Sequence, residues 1–344
     1  MVLLNLSSNV SASFLLSLLA TTIPLTFCFV AAQYFVEGFV IWCMENIPYL
    51  KTGDRIALAA PARSVSPQEM APAIAELSSW GLEVYVPDGL YEAEGQLAGS
   101  DAHRAALMQS LIDDPSIRAI LCARGGYGTV RIIDRLDFTR FCAQPKWIVG
   151  YSDITVLHSH IHRHCQLPTL HATMPINFGA QPTDATRSLH DALFGCDQHH
   201  NWLGTLHNRQ GEAKAPVVGG NLSILYSLCG SSSQIDTHGK ILLIEDLDEY
   251  LYHIDRMMQA LRRCGMLDGL AGLIVGGLTD MHDNTIPFGR TAEQIVREAV
   301  EPYNYPVAFG APFGHLGDRN IALRLGMPTR LVVDGQRSSL TINS

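Results

Sequence analysis

Several residues of this chain could together perform acyl transfer: a serine, a carboxylate, a histidine and a pair of glycines. The serine is Ser152, in V-G-Y-S-D-I-T at 149–155, where an apolar run ends and a polar pair begins. A serine at such a turn can simply cap the helix behind it. It can also be a nucleophile on a tight strand-to-helix elbow, whose pattern is G-x-S-x-G. Gly150 supplies the first glycine of that pattern, and Ile154 stands where the second would be. Gly125 and Gly126 lie in R-G-G-Y-G (124–128), where bare backbone can approach a ligand closely. Their amides and the N–H of Asp153 could form an oxyanion hole. The competing reading is a generic anion cradle, because neither a P-loop lysine nor a full G-x-G-x-x-G is present. Glu245 ends an apolar run and His315 sits in a glycine-flanked loop, giving the chain order serine, acid, histidine. Serine is a poor nucleophile until an imidazole takes its proton, and the acid fixes the imidazole tautomer.

Other residues compete for these roles. Asp246, Asp248 and Glu249 follow Glu245, and Asp248 or Glu249 could cap the helix that begins near Tyr250. His171 precedes a proline-containing strand end and could line a pocket. His158, His160, His162 and His164 alternate along one stretch, a spacing that spreads them around a helix and argues against a shared metal.

The elements needed to position these residues alternate. Apolar runs at 56–61, 82–87, 117–123 and 146–151 read as strands, with helical periods at 67–80 (cap Ser66), 100–112 (cap Ser100), 129–135 and 154–165 between or after them. Short apolar strands joined by helices imply a parallel sheet covered on both faces. Ligands of such sheets bind beyond the strand C-termini, where the Gly-Gly loop and Ser152 both fall. Polar composition over 180–215 suggests a linker. A second α/β pattern then runs through strand 240–247, helix 252–265 closed by Gly265, strand 270–278, helix 290–300 and, within 306–315, a strand leading into the loop with His315, ending in a β-hairpin tail over L-R-L-G-M-P-T-R-L-V-V-D-G and S-S-L-T-I-N. The expected organisation is an N-terminal unit over 44–180 carrying the serine, a linker over 181–215, and a smaller unit over 216–344 carrying acid and base.

Composition bounds the function. The chain has 344 residues, 47% of them apolar, and a net charge of −9, which disfavours a nucleic-acid partner. Its eight cysteines show no CxxC pair, as expected of free thiols in a reducing compartment. Residues 1–43 form a hydrophobic extension: no charge occurs before Glu37, and 14–36 is long enough to span a membrane. Met44 offers an alternative start, followed by ordinary globular composition.

The blocks L-K-T-G-D-R-I-A-L-A-A-P-A, A-R-G-G-Y-G, V-G-Y-S-D-I-T, M-P-I-N-F-G, G-G-N-L-S-I-L, L-L-I-E-D-L-D-E-Y-L-Y-H-I-D-R-M and F-G-H occur in this order from about residue 46 onward. In that combination the chain resembles the LD-carboxypeptidases of the muramoyl-tetrapeptide type, a serine peptidase family that includes the microcin C immunity peptidases. The resemblance implies Ser152 as nucleophile, Glu245 as acid and His315 as base. It also implies an oxyanion hole from the amides of Gly126 (or Gly125) and Asp153, a two-domain α/β fold with the site at the junction, and a homodimer. It puts residues 1–43 outside the family's extent. Where members often carry proline in an L-P-x-G segment, this chain has Arg324.

The expected activity is release of the C-terminal D-alanine from a murein tetrapeptide, in the cytoplasm, with no metal or organic cofactor. Membrane association would arise only if 14–36 is a real segment. Arg124 is a candidate for the terminal carboxylate, and Asn177 and Asn221 for substrate amides. Cleavage of a peptide–nucleotide conjugate is the alternative, for which Trp80, Trp147 and Trp202 are the candidate base clamps. A non-catalytic anionic-peptide-binding protein is the second.

Overall fold

Short apolar strands separated by well-capped helices build the part of the molecule that carries the candidate site. The computed structural model describes residues 47–179 and 181–343, together with two short strands, Phe35–Val36 and Phe39–Val40, that pair antiparallel. Those two strands belong to a unit, Met1–Glu45, separate from Asn46–Ser344. Up to residue 34, the apolar stretch considered above as a membrane segment lies outside the described residues. No helix among those described is long and apolar enough to cross a membrane.

The first half supplies β1 (Arg55–Ala59), α1 (Pro67–Ser79), β2 (Glu83–Tyr85), α2 (Asp101–Asp113), β3 (Ile117–Cys122), α3 (Thr139–Ala143), β4 (Trp147–Gly150), α4 (Thr155–His164) and β5 (Thr169–His171). Ser66 caps α1 in a reciprocal box with Glu69, and Ser100 caps α2. Residues 129–135, expected as a helix, form two 3-10 turns instead. Successive strand residues bury on opposite faces. Ile56, Leu58, Leu121 and Val149 join one core, and Ala57, Ala59, Ile120 and Ile148 another. A sheet covered on both faces in this way is the parallel arrangement expected from the sequence.

The expected linker is folded. It contains α5 (Asp184–Leu193), β6 (Gln198–Leu203) and β7 (Gly211–Lys214). Its signal is hidden because β6 buries Gln198 beside Trp202, so polar residues occupy inward positions. Then follow β8 (Val217–Asn221), α6 (Leu222–Ser227), β9 (Ile241–Leu247), α7 (Leu251–Arg263), β10 (Gly272–Thr279), α8 (Ala292–Ala299), β11 (Val307–Ala308), β12 (Leu323–Leu325), β13 (Arg330–Asp334) and β14 (Arg337–Ile342). The strand expected at the start of 306–315 is thus two residues long, and the loop expected to carry His315 follows it. Gly265, at φ +80, follows the end of α7 as expected.

From residue 46 onward, the described residues form three sheets. The first has six strands in the order β12-β5-β4-β3-β1-β2, parallel except for β12. The second, β8-β9-β10-β11, is wholly parallel. The third, β6-β14-β13-β7, is antiparallel. The second sheet buries Leu242, Ile244, Leu273 and Val275 against α7 and α8. Its other face, through Ile241, Leu243 and Ile274, packs on the third sheet. The tail hairpin is therefore β13–β14, whereas the L-R-L segment expected to share it leaves to become the edge of the first sheet.

Candidate active site

One residue after β4, Ser152 opens a 3-10 turn that leads into α4. Its φ is +62°, a conformation that a residue with a Cβ adopts only at a cost of about 1–3 kcal/mol. Capping alone would not demand this, since an N-cap sits in the extended region; an elbow that lifts its side chain out of the turn does. The turn is braced behind the serine. Buried His158 donates from Nε2 to the Gly150 carbonyl at 2.9 Å, and burial pushes its pKa down to about 3, so the ring stays neutral. Ile154, in place of the pattern's second glycine, is fully buried.

The Gly-Gly loop leaves the neighbouring strand β3. A Cβ at Gly125 would come within 3.0 Å of Ser152 Oγ, so the bare backbone there lies against the nucleophile candidate. Gly126 has φ +103°, and a Cβ on it would strike the stem of Arg63. The backbone N–H groups of Gly126 and Asp153 donate to no partner among the described residues. The Asp153 carboxylate is buried and accepts from Thr129 N at 2.9 Å, locking the turn after the Gly-rich loop to the elbow. Burial raises its pKa.

Glu245 lies near the end of β9, fully buried, and His315 follows the short β11 by seven residues. Glu245 Oε2 accepts from His315 Nδ1 at 2.6 Å and from the His315 backbone N–H at 3.1 Å. This fixes the tautomer with Nε2 free to act as base. Burial would raise the Glu245 pKa, but His315 and His171 outweigh it and hold the carboxyl low. Burial would lower that of His315, but the Glu245 charge outweighs it and the net direction is upward. The His315 ring lies 4.8 Å from the ring of Tyr151, the residue before Ser152. No hydrogen bond joins Ser152 to His315 among the described residues. The two halves of the site are tied together behind it, where Asn221 N donates to Thr155 Oγ1 at 3.0 Å.

The remaining candidates separate. Asp246 is buried and accepts from Asn221 Nδ2, Ser223 N and Leu247 N, while burial and then the Glu245 charge push it up to about 7. Asn221 is itself buried: its Oδ1 accepts from Ile224 N as the α6 cap and from Ser223 Oγ, and its amide is held by Asp246. Both polar ends of that side chain are therefore committed inside the protein rather than offered to substrate. Asn177 donates to the Tyr151 hydroxyl at 3.2 Å. Glu249 pairs with His253 and Asp248 with His282, away from the Glu245–His315 bond. Arg124 Nη1 lies 3.6 Å from Glu69 Oε1. His171 is buried beside Glu245, its Nε2 3.9 Å from Oε1. His160 and His164 bond to Ser233 and Ser232, and His162 to Thr169, so the alternating histidines fasten α4 to its surroundings. Trp147 and Trp202 are buried with their indole N–H groups on backbone carbonyls, and Trp80 packs against Phe178 and His190.

Sequence reasoning missed Arg104. It is buried in α2, donating from Nη1 to Pro61 O (2.6 Å) and Gly128 O (2.8 Å) and pairing with Asp101, so it joins the loop after β1 to the Gly-rich loop. The available signal was an arginine on the apolar stripe with Met108, Leu111 and Ile112. Cys142 and Cys165, expected as free thiols, are joined as a disulfide. The connection follows from the ends of α3 and α4 meeting, which no CxxC spacing could announce.

Comparison with known proteins agrees with this architecture. Residues 56–172 match a family model described as the LD-carboxypeptidase N-terminal domain, and residues 214–331 one described as the LD-carboxypeptidase C-terminal domain. A probable murein peptide carboxypeptidase of Bacillus subtilis is 36% identical over 286 residues, covering 80% of this chain and 88% of the relative. A murein tetrapeptide carboxypeptidase of Pseudomonas aeruginosa is 28% identical over 295 residues, 82% and 94% of the two chains. The crystal structure of a muramoyltetrapeptide carboxypeptidase from Oxalobacter formigenes superposes with a TM-score of 0.77 at 24% identity, covering 84% of this chain and 99% of that one. The microcin C7 self immunity protein MccF superposes with a TM-score of 0.75 at 20% identity, over 86% and 97%. At these identities the two structures speak for the fold.

Proposed function

Because the chain belongs to the LD-carboxypeptidase family, and is thus a peptidase, we propose that it is a serine-type enzyme that releases the C-terminal D-alanine of murein tetrapeptides. The observation that carries this reading is the buried Glu245–His315 hydrogen bond beside a serine held at positive φ. His315 Nε2 takes the Ser152 proton as Oγ attacks the carbonyl of the diamino-acid residue. Glu245 stabilises the imidazolium that forms. The carbonyl oxygen becomes an oxyanion received by the N–H groups of Gly126 and Asp153, donors that need no rearrangement at the moment of reaction. Collapse breaks the C–N bond, His315 protonates the departing D-Ala nitrogen, and an acyl-Ser152 ester remains. Water, deprotonated by His315, then hydrolyses that ester and restores the serine. The Ser152–His315 contact closes as substrate enters, since catalytic hydrogen bonds often tighten only in the Michaelis complex.

The names of the B. subtilis and P. aeruginosa relatives support a murein peptide as substrate. The burial of Trp147 and Trp202 weighs against a stacked nucleobase and so against a nucleotide-conjugate substrate. The test is incubation of the purified protein with murein tetrapeptide, assayed for free D-Ala, with Ser152→Ala as control. Release by the parent and a loss of at least about 10³-fold in the variant are expected, as for removal of other serine nucleophiles. Release that persists in Ser152→Ala overturns the assignment of the nucleophile.

A further inference from the structure

An exopeptidase must recognise the free carboxylate of the residue it removes, and the sequence offers Arg124 for that task. The structure draws attention elsewhere. Arg124 faces Glu69, whose carboxylate is fixed in place by accepting from both Ser66 N and Ser66 Oγ at the start of α1. Its charge is thus already partly answered. Arg63 makes no ion pair or side-chain hydrogen bond among the described residues, and it is half-buried rather than free in solvent.

Its place in the fold is specific. In the first sheet β3 lies on one side of β1 and β2 on the other, so the strand order reverses between β1 and β3. Crevices at such reversals, beyond the strand C-termini, are where open α/β sheets bind ligands. Reading across that edge, β4 presents Ser152, β3 presents Gly125 and Gly126, and β1 leads into Arg63. The Arg63 stem leans back over the glycines: a Cβ on Gly126 would fall 2.1 Å from its Cδ and 2.7 Å from its Cγ. The backbone that carries it is held on two sides. Ala98 N donates to Ala62 O and Ser64 N to Gln96 O at 3.0 Å each, and buried Arg104 binds Pro61 O and Gly128 O together.

The spacing suits one residue of substrate. Two strand intervals separate β4 from β1, about 9.6 Å. The terminal carboxylate lies one residue beyond the scissile carbonyl, at most about 3.6 Å further along the chain. A guanidinium reaching back from β1 over Gly126 therefore meets a carboxylate whose own carbonyl group is at Ser152. Arginine's planar fork matches a carboxylate with two parallel N–H donors.

We propose that Arg63 is the specificity-determining residue that receives the α-carboxylate of the leaving residue, which would make this site an exopeptidase site. The assignment rests on the peptidase reading above. It is tested by comparing tetrapeptide carrying a free C-terminal D-Ala with the same peptide ending in D-alaninamide, in the parent and in Arg63→Gln, Arg63→Lys and Arg124→Gln. The parent should prefer the acid by about 10- to 150-fold in kcat/KM, the range of a hydrogen bond to a charged group. Arg63→Gln should lose that preference through KM of the acid, with kcat and the rate on the amide little changed. Arg63→Lys should recover part of it, and unaltered circular dichroism and Tm exclude misfolding as the cause. A parent that releases no D-Ala overturns the peptidase reading and this inference together. Release with an unchanged acid-to-amide ratio in Arg63→Gln overturns the Arg63 assignment alone, as does a ratio that collapses only in Arg124→Gln.

Discussion

Ser152, Glu245 and His315 each depend on a feature that ordinary packing would not require. Ser152 holds an unfavourable φ of +62°; Glu245 is a charge buried with two histidines; His315 carries a proton-accepting nitrogen in a largely buried ring. The electrostatics of the last two fix the pH behaviour. Burial would lower the His315 pKa, yet the Glu245 carboxylate at 2.6 Å raises it above the ordinary 6.5. His315 acting as the proposed base must be neutral to accept a proton from Ser152, so kcat/KM should fall on the acid side with a midpoint above pH 6.5. In Glu245→Gln the burial remains and the stabilising charge is gone. The His315 midpoint, followed by NMR of the imidazole, should then drop below 6.5, together with a large loss of kcat. A midpoint that stays above 6.5 in this variant would remove Glu245 as the partner that sets it. At this scale the pairing of Glu245 with His315 was legible in the sequence, because an acid–base role needs those particular side chain types. Asp153 was less legible: its amide could be read as a donor, but its buried carboxylate on Thr129 depends on a contact 24 residues away.

Elements position these residues through their ends. Helix α4 starts at the elbow and its histidines fasten it on several sides, one to the Gly150 carbonyl and others to Ser232, Ser233 and Thr169. The C-terminus of α5 is held differently. Arg324, where family members often carry proline, extends from β12 to donate to Ala192 O at 2.8 Å and Cys196 O at 2.9 Å, with its guanidinium 4.7 Å from the Tyr49 ring centre. A cation there satisfies carbonyls that a helix end leaves open and complements the helix dipole. Arg324 is fully buried, so its role is to join strand to helix rather than to meet substrate. Arg324→Met should therefore cost about 2–4 kcal/mol, the penalty for unsatisfied buried groups and a lost charged hydrogen bond. Calorimetry should show a Tm lowered by several degrees, while kcat and KM at 25 °C remain within about twofold. A KM that rises with unchanged Tm would return Arg324 to the substrate site. Capped helices such as α1 and α2 were legible from Ser66 and Ser100 because their signals are local. Helix α5 and strand β6 were read as linker because their burial is set by partners distant in sequence, Ala322 and Arg324 among them.

The whole molecule is assembled so that neither half of the site is complete alone. Ser152 is presented by the first sheet, Glu245 by the second with His315 bonded to it from the loop after β11, and α4 abuts β8 through the Asn221–Thr155 hydrogen bond. The chain then returns: β12 pairs antiparallel with β5, Leu323 opposite His171 and Leu325 opposite Thr169, and Ala322 joins the core under the first sheet. Parallel strands joined by helices could be read from apolar runs one after another. A three-residue strand that crosses back to the first sheet carries no comparable signal, since L-R-L is equally a piece of hairpin. Its consequence is thermodynamic. The last strand of the serine-bearing sheet comes from the segment that follows His315, so unfolding of the second part removes an edge and core contacts from the first. The region from residue 46 onward should unfold in one cooperative transition, with calorimetric and van't Hoff enthalpies equal. Arg324→Pro, which removes the N–H bond to Gln198 Oε1 and the guanidinium bonds to Ala192 O and Cys196 O, should lower that single transition as a unit. Two resolved transitions in the parent, or a variant in which only one part is destabilised, would mean that the two parts fold independently and that β12 only covers an edge.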